Sequence, residues 1–275
     1  MKKHPDNIFS ENIVYSLDTK KQTEYDNLLW ESVLLLQVSG QMIFETSSEK
    51  ITAHPGEIYL VRKHQFIKTT KTPINNEEYK AVLFILKEDV LRKYALERNL
   101  NVREKYKDKA NLRLAESPYI KSFFNSLKPY LQDPKNIQDP LNILKVKEAV
   151  ELLMRLNFDL TGFLFDFSEP HKADLDSFMR QNFKFNVSIE KFALLTGRSL
   201  ASFKRDFKKT FNLPPRQWLQ HRRLAAAHFE IEKNRKKPSA IYLELGFESL
   251  SHFHFAFKKQ FGYTPKDIIN QHKTK

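Results

Sequence analysis

The residues with chemistry to offer are cations set at a repeated spacing. Lys208–Lys209 recur fifty residues later as Lys258–Lys259. Each pair lies in a stretch with phenylalanine at i, i+4 and i+8: Phe203, Phe207 and Phe211, then Phe253, Phe257 and Phe261. Leu200–Pro215 reads LASFKRDFKKTFNLPP and Leu250–Pro265 reads LSHFHFAFKKQFGYTP, identical at 7 of 16 positions. Phenylalanines at that spacing share one helical face and belong in a core. The outward positions of the first helix are then Ala201, Ser202, Lys204, Arg205 and Lys208. Lysine and arginine there suit phosphates, arginine also suits guanine edges, and small residues let a backbone approach. His252 and His254 stand two apart, so on a helix they point in different directions and make no metal pair.

The cations are placed unevenly. Residues 172–275 hold 21 Lys and Arg against 9 Asp and Glu, whereas residues 1–171 hold 25 against 24. A neutral part joined to a basic one implies a polyanion partner at one end. With no cysteine, disulfides, thiolate zinc sites and cysteine nucleophiles are excluded. MKKHPDNIF carries no apolar segment behind its lysines, and the longest apolar run, near Ala81–Leu86, is too short to span a bilayer. The expectation is a soluble cytoplasmic protein with no membrane partner.

Each cationic helix needs a support. Ser188 opens a helix with Ile189, Phe192, Ala193 and Leu195 on its apolar face; Thr196–Gly197–Arg198 is the corner, and Ser199 caps the second helix. Pro215 starts a long linking helix whose expected buried side is Trp218, Leu219, Leu224, Ala225, Ala226 and Phe229, with Arg216, Arg222 and Arg223 on its basic side. A second unit follows from Pro238: Ile241, Leu243 and Leu245, a turn at Gly246–Phe247, the Ser249 cap, and the second phenylalanine helix. This is helix-turn-helix arithmetic in tandem, and the outer faces suit a major groove.

The N-terminal part reads as short strands between residues 12 and 86, with turns at Ser39–Gly40, His54–Pro55–Gly56 and Asn75–Asn76. An antiparallel barrel or sandwich is expected, with Leu34, Leu36, Met42, Ile58, Leu60, Leu83 and Ile85 inside. His54 and His64 are ten apart, and no carboxylate–histidine set converges, so neither a metal nor a metal enzyme is expected. His64 is the one candidate for an effector pocket. Helical patterns follow at Glu88, at Ser117–Pro118 and at Asp139–Pro140, with a charged stretch 103–109 and a loop 133–140 between them. The last pattern, Leu141 to Leu156, has a face wide enough either to pack on the sheet or to form a homodimer interface. Ser168–Lys172 breaks the pattern, and a linker is placed at 161–173.

The C-terminal part resembles the AraC/XylS family of bacterial transcription regulators. The residues carrying this are Phe192–Ala193, Gly197, Ser199 and Phe207–Lys208–Lys209, then Arg222–Arg223–Leu224, then Gly246–Phe247, Phe253, Phe257–Lys258–Lys259, Phe261–Gly262, Thr264 and Pro265. The first part is similar, more loosely, to the cupin-like domain of that family, in the subgroup of type III secretion activators. The resemblance implies an α+β chain. A small cupin-like β-barrel regulatory domain at 1–86 is followed by helices at 87–160 for packing or dimerisation. An all-α DNA-binding domain at 174–275 has helix-turn-helix units at 188–211 and 238–261, joined by a helix at 215–233.

It also implies a non-enzymatic, sequence-specific transcription regulator, an activator, needing no cofactor. Its implied partners are double-stranded DNA, a second copy in a homodimer, RNA polymerase, and an effector that is a small molecule or a protein. The candidate DNA-binding set is Arg198, Ser199, Ala201, Ser202, Lys204, Arg205 and Lys208 with Ser249, Leu250, Ser251, His254 and Lys258. Departures from the family pattern are Phe255 where arginine is usual, Tyr242 for a small residue, Asn212 for glycine, and Ile269 where a final arginine is frequent. They lead to the expectation that the first unit carries more of the specificity and the second mainly phosphate contacts. The other readings are a metal-dependent cupin enzyme with a basic appendage and a non-specific architectural DNA-binding protein.

Overall fold

A computed structural model describes residues 8–9, 12–100, 106, 109–132, 139–168 and 172–271. Most of the expected loop 133–140, most of 103–109, and Glu169, Pro170 and His171 lie outside the described residues. The chain divides into two compact units, Met1–Ser168 and Glu169–Lys275.

The first unit has two antiparallel sheets. One contains β1 (Ile8–Phe9), β2 (Ile13–Asp18), β4 (Ser32–Ser39), β7 (Ile58–Val61), β9 (Tyr79–Leu86) and β10 (Asn111–Arg113), in the order β1-β2-β9-β4-β7-β10. The other contains β3 (Gln22–Leu29), β5 (Gln41–Glu45), β6 (Lys50–Ala53) and β8 (Gln65–Thr72), in the order β3-β8-β5-β6. Four helices follow: α1 (Glu88–Glu97), α2 (Pro118–Gln132), α3 (Asp139–Leu156) and α4 (Leu160–Leu164).

The larger sheet is covered on both faces. Leu34, Ile58, Leu60, Val82 and Phe84 pack with Val90, Phe123, Val146 and Leu153 of the helices. Leu35, Tyr59, Val61, Tyr79 and Ala81 face the smaller sheet and meet Met42, Phe44, Ala53 and Ile67. The expected interior was therefore assigned largely to the wrong face. Leu34, Leu36, Ile58 and Leu60 turn to the helices, while their alternate neighbours Leu35 and Tyr59 fill the space between the sheets. Successive strand residues point to opposite faces, so when both faces are buried the sequence shows no alternation from which to choose. Between the sheets the bulky rings of Phe44, Tyr59 and Tyr79 occupy the middle, Phe44 against Tyr59 edge to face at 5.4 Å.

The wide face of α3 is divided. Val146, Ala149, Val150 and Leu153 are buried in the helix–sheet core, whereas Leu141, Ile143 and Leu144 stay exposed. The expected linker 161–173 begins too early. Leu160–Leu164 form α4, and Phe163, Leu164 and Phe165 are buried in the first unit's core. Arg92 stacks over the Phe167 ring at 4.4 Å and donates to the Phe167 carbonyl at 3.1 Å. An apolar run of that length folds back to leave water instead of bridging.

The second unit is all helix: α5 (Leu175–Asn182), α6 (Ile189–Leu195), α7 (Leu200–Phe211), α8 (Pro215–Glu232), α9 (Pro238–Ile241), α10 (Leu250–Phe261) and α11 (Pro265–Gln271). The buried stripe of α8 is Leu219, Arg223, Leu224, Ala227 and Ile231. It differs from the expected one: Phe229 and Ala225 face solvent, and Arg223 turns inward. Helix α9 is a single turn, and residues 242–246 continue it as successive turns, with Leu245 N–H donating to Ile241 and Phe247 N–H to Tyr242.

Candidate nucleic-acid interface

In the first helix-turn-helix unit α6 supports α7. Thr196, fully buried, donates its hydroxyl back to the Phe192 and Ala193 carbonyls at 3.0 and 2.9 Å, which closes α6. Gly197 then turns the corner at φ +62°. Ser199 caps α7 by accepting from the Ser202 N–H at 3.2 Å. Phe203 and Phe207 are fully buried, and Phe207, Phe211 and Trp218 pack as a ring cluster with centroids 4.4 to 5.7 Å apart. Asn212 ends the helix in the left-handed region at φ +54°. Asparagine is the residue most often found there after glycine, which is why it stands in for the glycine of the second copy, Gly262 (φ +84°).

The second unit repeats the scheme. Ser249 accepts from the His252 N–H at 3.2 Å, and Phe253, Ala256 and Phe257 are buried. Gly246 sits at φ +81°, where an added Cβ would lie 2.6 Å from the Lys184 carbonyl and 2.8 Å from the Arg223 guanidinium carbon. Only glycine fits there.

With the spines buried, the outward faces follow. Ala201, Lys204, Arg205 and Lys208 are exposed on α7, with Ser202 half-buried beside them. Arg205 keeps 79% of its side chain in solvent, its Nε 3.6 Å from Asp206. On α10, Ser251 and Lys258 are exposed, while Leu250 and His254 are half-buried. Lys208, Lys209, Lys258 and Lys259 close the last turns of their helices, where cations also favour the helix dipole.

Arg198 is placed differently from the expectation. Its guanidinium is 8% exposed and donates to the Ala173 and Thr196 carbonyls at 3.0 and 2.8 Å, and to Asp206 at 3.2 Å. It braces the corner instead of offering itself to a groove, because a corner that exposes backbone carbonyls needs donors. In return, Arg198's hydrogen bond holds the Asp206 carboxyl below the usual aspartate range.

Arg223 plays the larger bracing role. Buried to 9% exposure, it donates from Nε to Phe183 O at 2.8 Å, from Nη2 to Phe185 O at 2.9 Å and from Nη1 to Gly246 O at 2.9 Å. One guanidinium thus ties the segment before α6 to the corner of the second unit, through α8.

Sequence reasoning left one feature unassembled. Arg235, Lys237 and Lys266 line a cleft of about 660 Å³ that includes Leu250 and His254. The signal in the sequence is the Arg235–Lys236–Lys237 run just before Pro238. Burial, and then Lys266, lower the pKa of His254 from the ordinary histidine value.

His64 lies at the β7–β8 corner with φ +59°, half-buried, its backbone N–H donating to Leu29 O at 2.6 Å. Burial, and then Lys63, lower its pKa. Among the described residues, no three His, Asp or Glu side chains converge as a metal site would require. Nor is any described helix long and apolar enough to cross a membrane.

The C-terminal unit is thus a tandem helix-turn-helix unit on a linking helix, and it follows in sequence an antiparallel β unit with packed helices. A family described as a helix-turn-helix domain matches residues 192–271, and one described as the ExsA N-terminal regulatory domain matches residues 32–160. Each match covers less than half of the chain: the C-terminal unit is similar to that helix-turn-helix family, and the first unit is similar to the ExsA-type regulatory domain.

The virulence regulon transcriptional activator VirF of Yersinia enterocolitica is 31% identical over 129 residues, 45% of this chain and 48% of VirF, so the match spans about half that relative's length. The HTH-type transcriptional regulator ExsA of Pseudomonas aeruginosa is 23% identical over 244 residues, 86% of this chain and 84% of ExsA. An apo ToxT variant from Vibrio cholerae aligns over 94% of this chain and 97% of its own, at 10% identity and a TM-score of 0.46.

Proposed function

We propose that the chain is a sequence-specific, DNA-binding transcription activator with no enzymatic activity, working in the cytoplasm. The observation that carries this is the pair of outward faces. Ala201, Lys204, Arg205 and Lys208 on one capped helix, and Ser251 and Lys258 on its copy, are exposed while Phe203, Phe207, Phe253 and Phe257 behind them are buried. In this reading α7 and α10 enter the major groove, Arg205 and Lys204 meet base edges, and Lys208 and Lys258 meet phosphates. Ser199 and Ser249, already occupied as caps, contribute backbone near phosphates. Leu250 and Ser251 allow the close approach of α10. The names of VirF and ExsA as activator and regulator support the same reading.

The β unit acts through a protein partner on its surface; the rings of Phe44, Tyr59 and Tyr79, buried together between its sheets, support this. The exposed Leu141, Ile143 and Leu144 on α3 support homodimer formation through that helix. Contact with RNA polymerase completes activation. Chromatin precipitation of the full chain followed by sequencing tests the proposal: discrete peaks upstream of genes, lost with Arg205→Ala, are expected. Uniform coverage, or peaks indifferent to that substitution, contradicts it.

A further inference from the structure

The fifty-residue offset puts Phe255 of α10 where α7 carries Arg205. Its ring is 69% exposed, although Phe253, Ala256 and Phe257 beside it are buried. Among the described residues Phe255 has no aromatic or cationic partner. Ser251, Phe255 and Lys258 fall at i, i+4 and i+7 and so share one face of the helix. That face has a small residue one turn before the ring and a cation one turn after it, with Lys259 alongside. Arg235, Lys237 and Lys266 line the cleft that includes His254 of the same helix. A large apolar ring with Lys258 and Lys259 one turn further along the helix matches a polyanion that carries an apolar feature.

In the major groove that feature is the C5-methyl of thymine, while every other base marker there is a hydrogen-bond donor or acceptor. Resting on the reading of α10 as a groove helix, we propose that Phe255 is a specificity-determining residue that selects thymine through its C5-methyl group. The second unit then does more than hold phosphates. It reads a methyl where the first reads polar edges with Arg205.

The test uses the full chain and a duplex that it selects from random-sequence DNA. Each thymine in the protected stretch is replaced singly by deoxyuridine, which lacks only the methyl. Burial of one methyl corresponds to about a fourfold change in affinity. Wild type is expected to lose about that much at one or two positions. Phe255→Ala is expected to bind the parent duplex correspondingly more weakly and to lose nothing further at those positions. Phe255→Arg is expected to shift preference at that base pair toward G·C. The ring is at the surface, so both variants keep the fold, which circular dichroism verifies.

If every deoxyuridine duplex binds wild type as tightly as the parent, or Phe255→Ala stays equally sensitive, the assignment of Phe255 is overturned. Unchanged DNA affinity of Phe255→Ala with lost self-association overturns it too, by making the ring a protein contact. A chain that selects no sequence at all refutes the groove reading itself, a result distinct from selection without sensitivity to the methyl.

Discussion

Replacing Arg223 by methionine removes the brace between the two helix-turn-helix units while keeping the aliphatic stem. Three backbone carbonyls, of Phe183, Phe185 and Gly246, lose donors at 2.8 to 2.9 Å. Hydrogen bonds from a charged group are worth about 1.5–3 kcal/mol each, and a buried carbonyl left without a partner keeps its desolvation penalty. Three such bonds would sum to more than that, but the methionine no longer carries a buried charge, which returns part of the loss. The expected cost is ~3–5 kcal/mol of unit stability.

The assay is urea unfolding followed by the fluorescence of Trp218, which lies on α8 with Arg223 and packs on Phe207 and Phe211, with Trp30 changed to Phe to silence the other tryptophan. Arg223→Lys should lie between wild type and Arg223→Met, since a single ammonium cannot reach three carbonyls in the guanidinium's fork. Because the brace sets one unit against the other, DNA affinity should fall in both variants under conditions where they remain folded. A midpoint for Arg223→Met equal to wild type, or a lysine variant as unstable as the methionine one, refutes the reasoning.

In the first unit, Lys71→Met removes the ammonium that lies 3.5 Å from the buried Asp18 and 3.1 Å from Glu24. Breaking one side of a buried pair costs ~3–5 kcal/mol, so the far-UV circular dichroism melt should move sharply down, and Asp18→Asn in the same chain should recover part of it. Asp206 has its folded pKa depressed, chiefly by Arg198. Its contribution is therefore full above about pH 4 and fades as pH falls through the folded value. Asp206→Asn should flatten the acid limb of the stability curve below about pH 4 and leave its neutral part parallel to wild type. Lys208→Ala should weaken binding to all duplexes alike and reduce the salt slope by about 1. Arg205→Ala should cost about 1–3 kcal/mol on the selected site and little on random DNA.

The helical half was legible because its signals agree at every level. Serine caps, glycine or asparagine at the left-handed positions, and a one-faced phenylalanine spine all specify the same two helices, and each leaves cations on its outer face. The β half was legible as strands but not as faces, since Leu34 and Leu35 are equally apolar and both are buried on opposite sides of one sheet. Strand β10 is three residues long and is held by distant residues, Leu112 opposite Leu60 of β7 and Asn111 bonded to Gln65 and Glu49, long-range facts without a local trace. Arg198 and Arg223 look like other surface arginines in sequence. Their roles come from carbonyls contributed by Ala173, Phe183, Phe185 and Gly246, distant in the chain.

The most direct test of two groove-reading helices is affinity selection from a fully randomised duplex library by the purified chain at about 150 mM salt, with sequencing of the retained DNA. Convergence on a motif with two separate tracts is expected, one dependent on Arg205 and the other altered by Phe255→Arg. Retained DNA as random as the input, with binding that depends on salt alone, contradicts it.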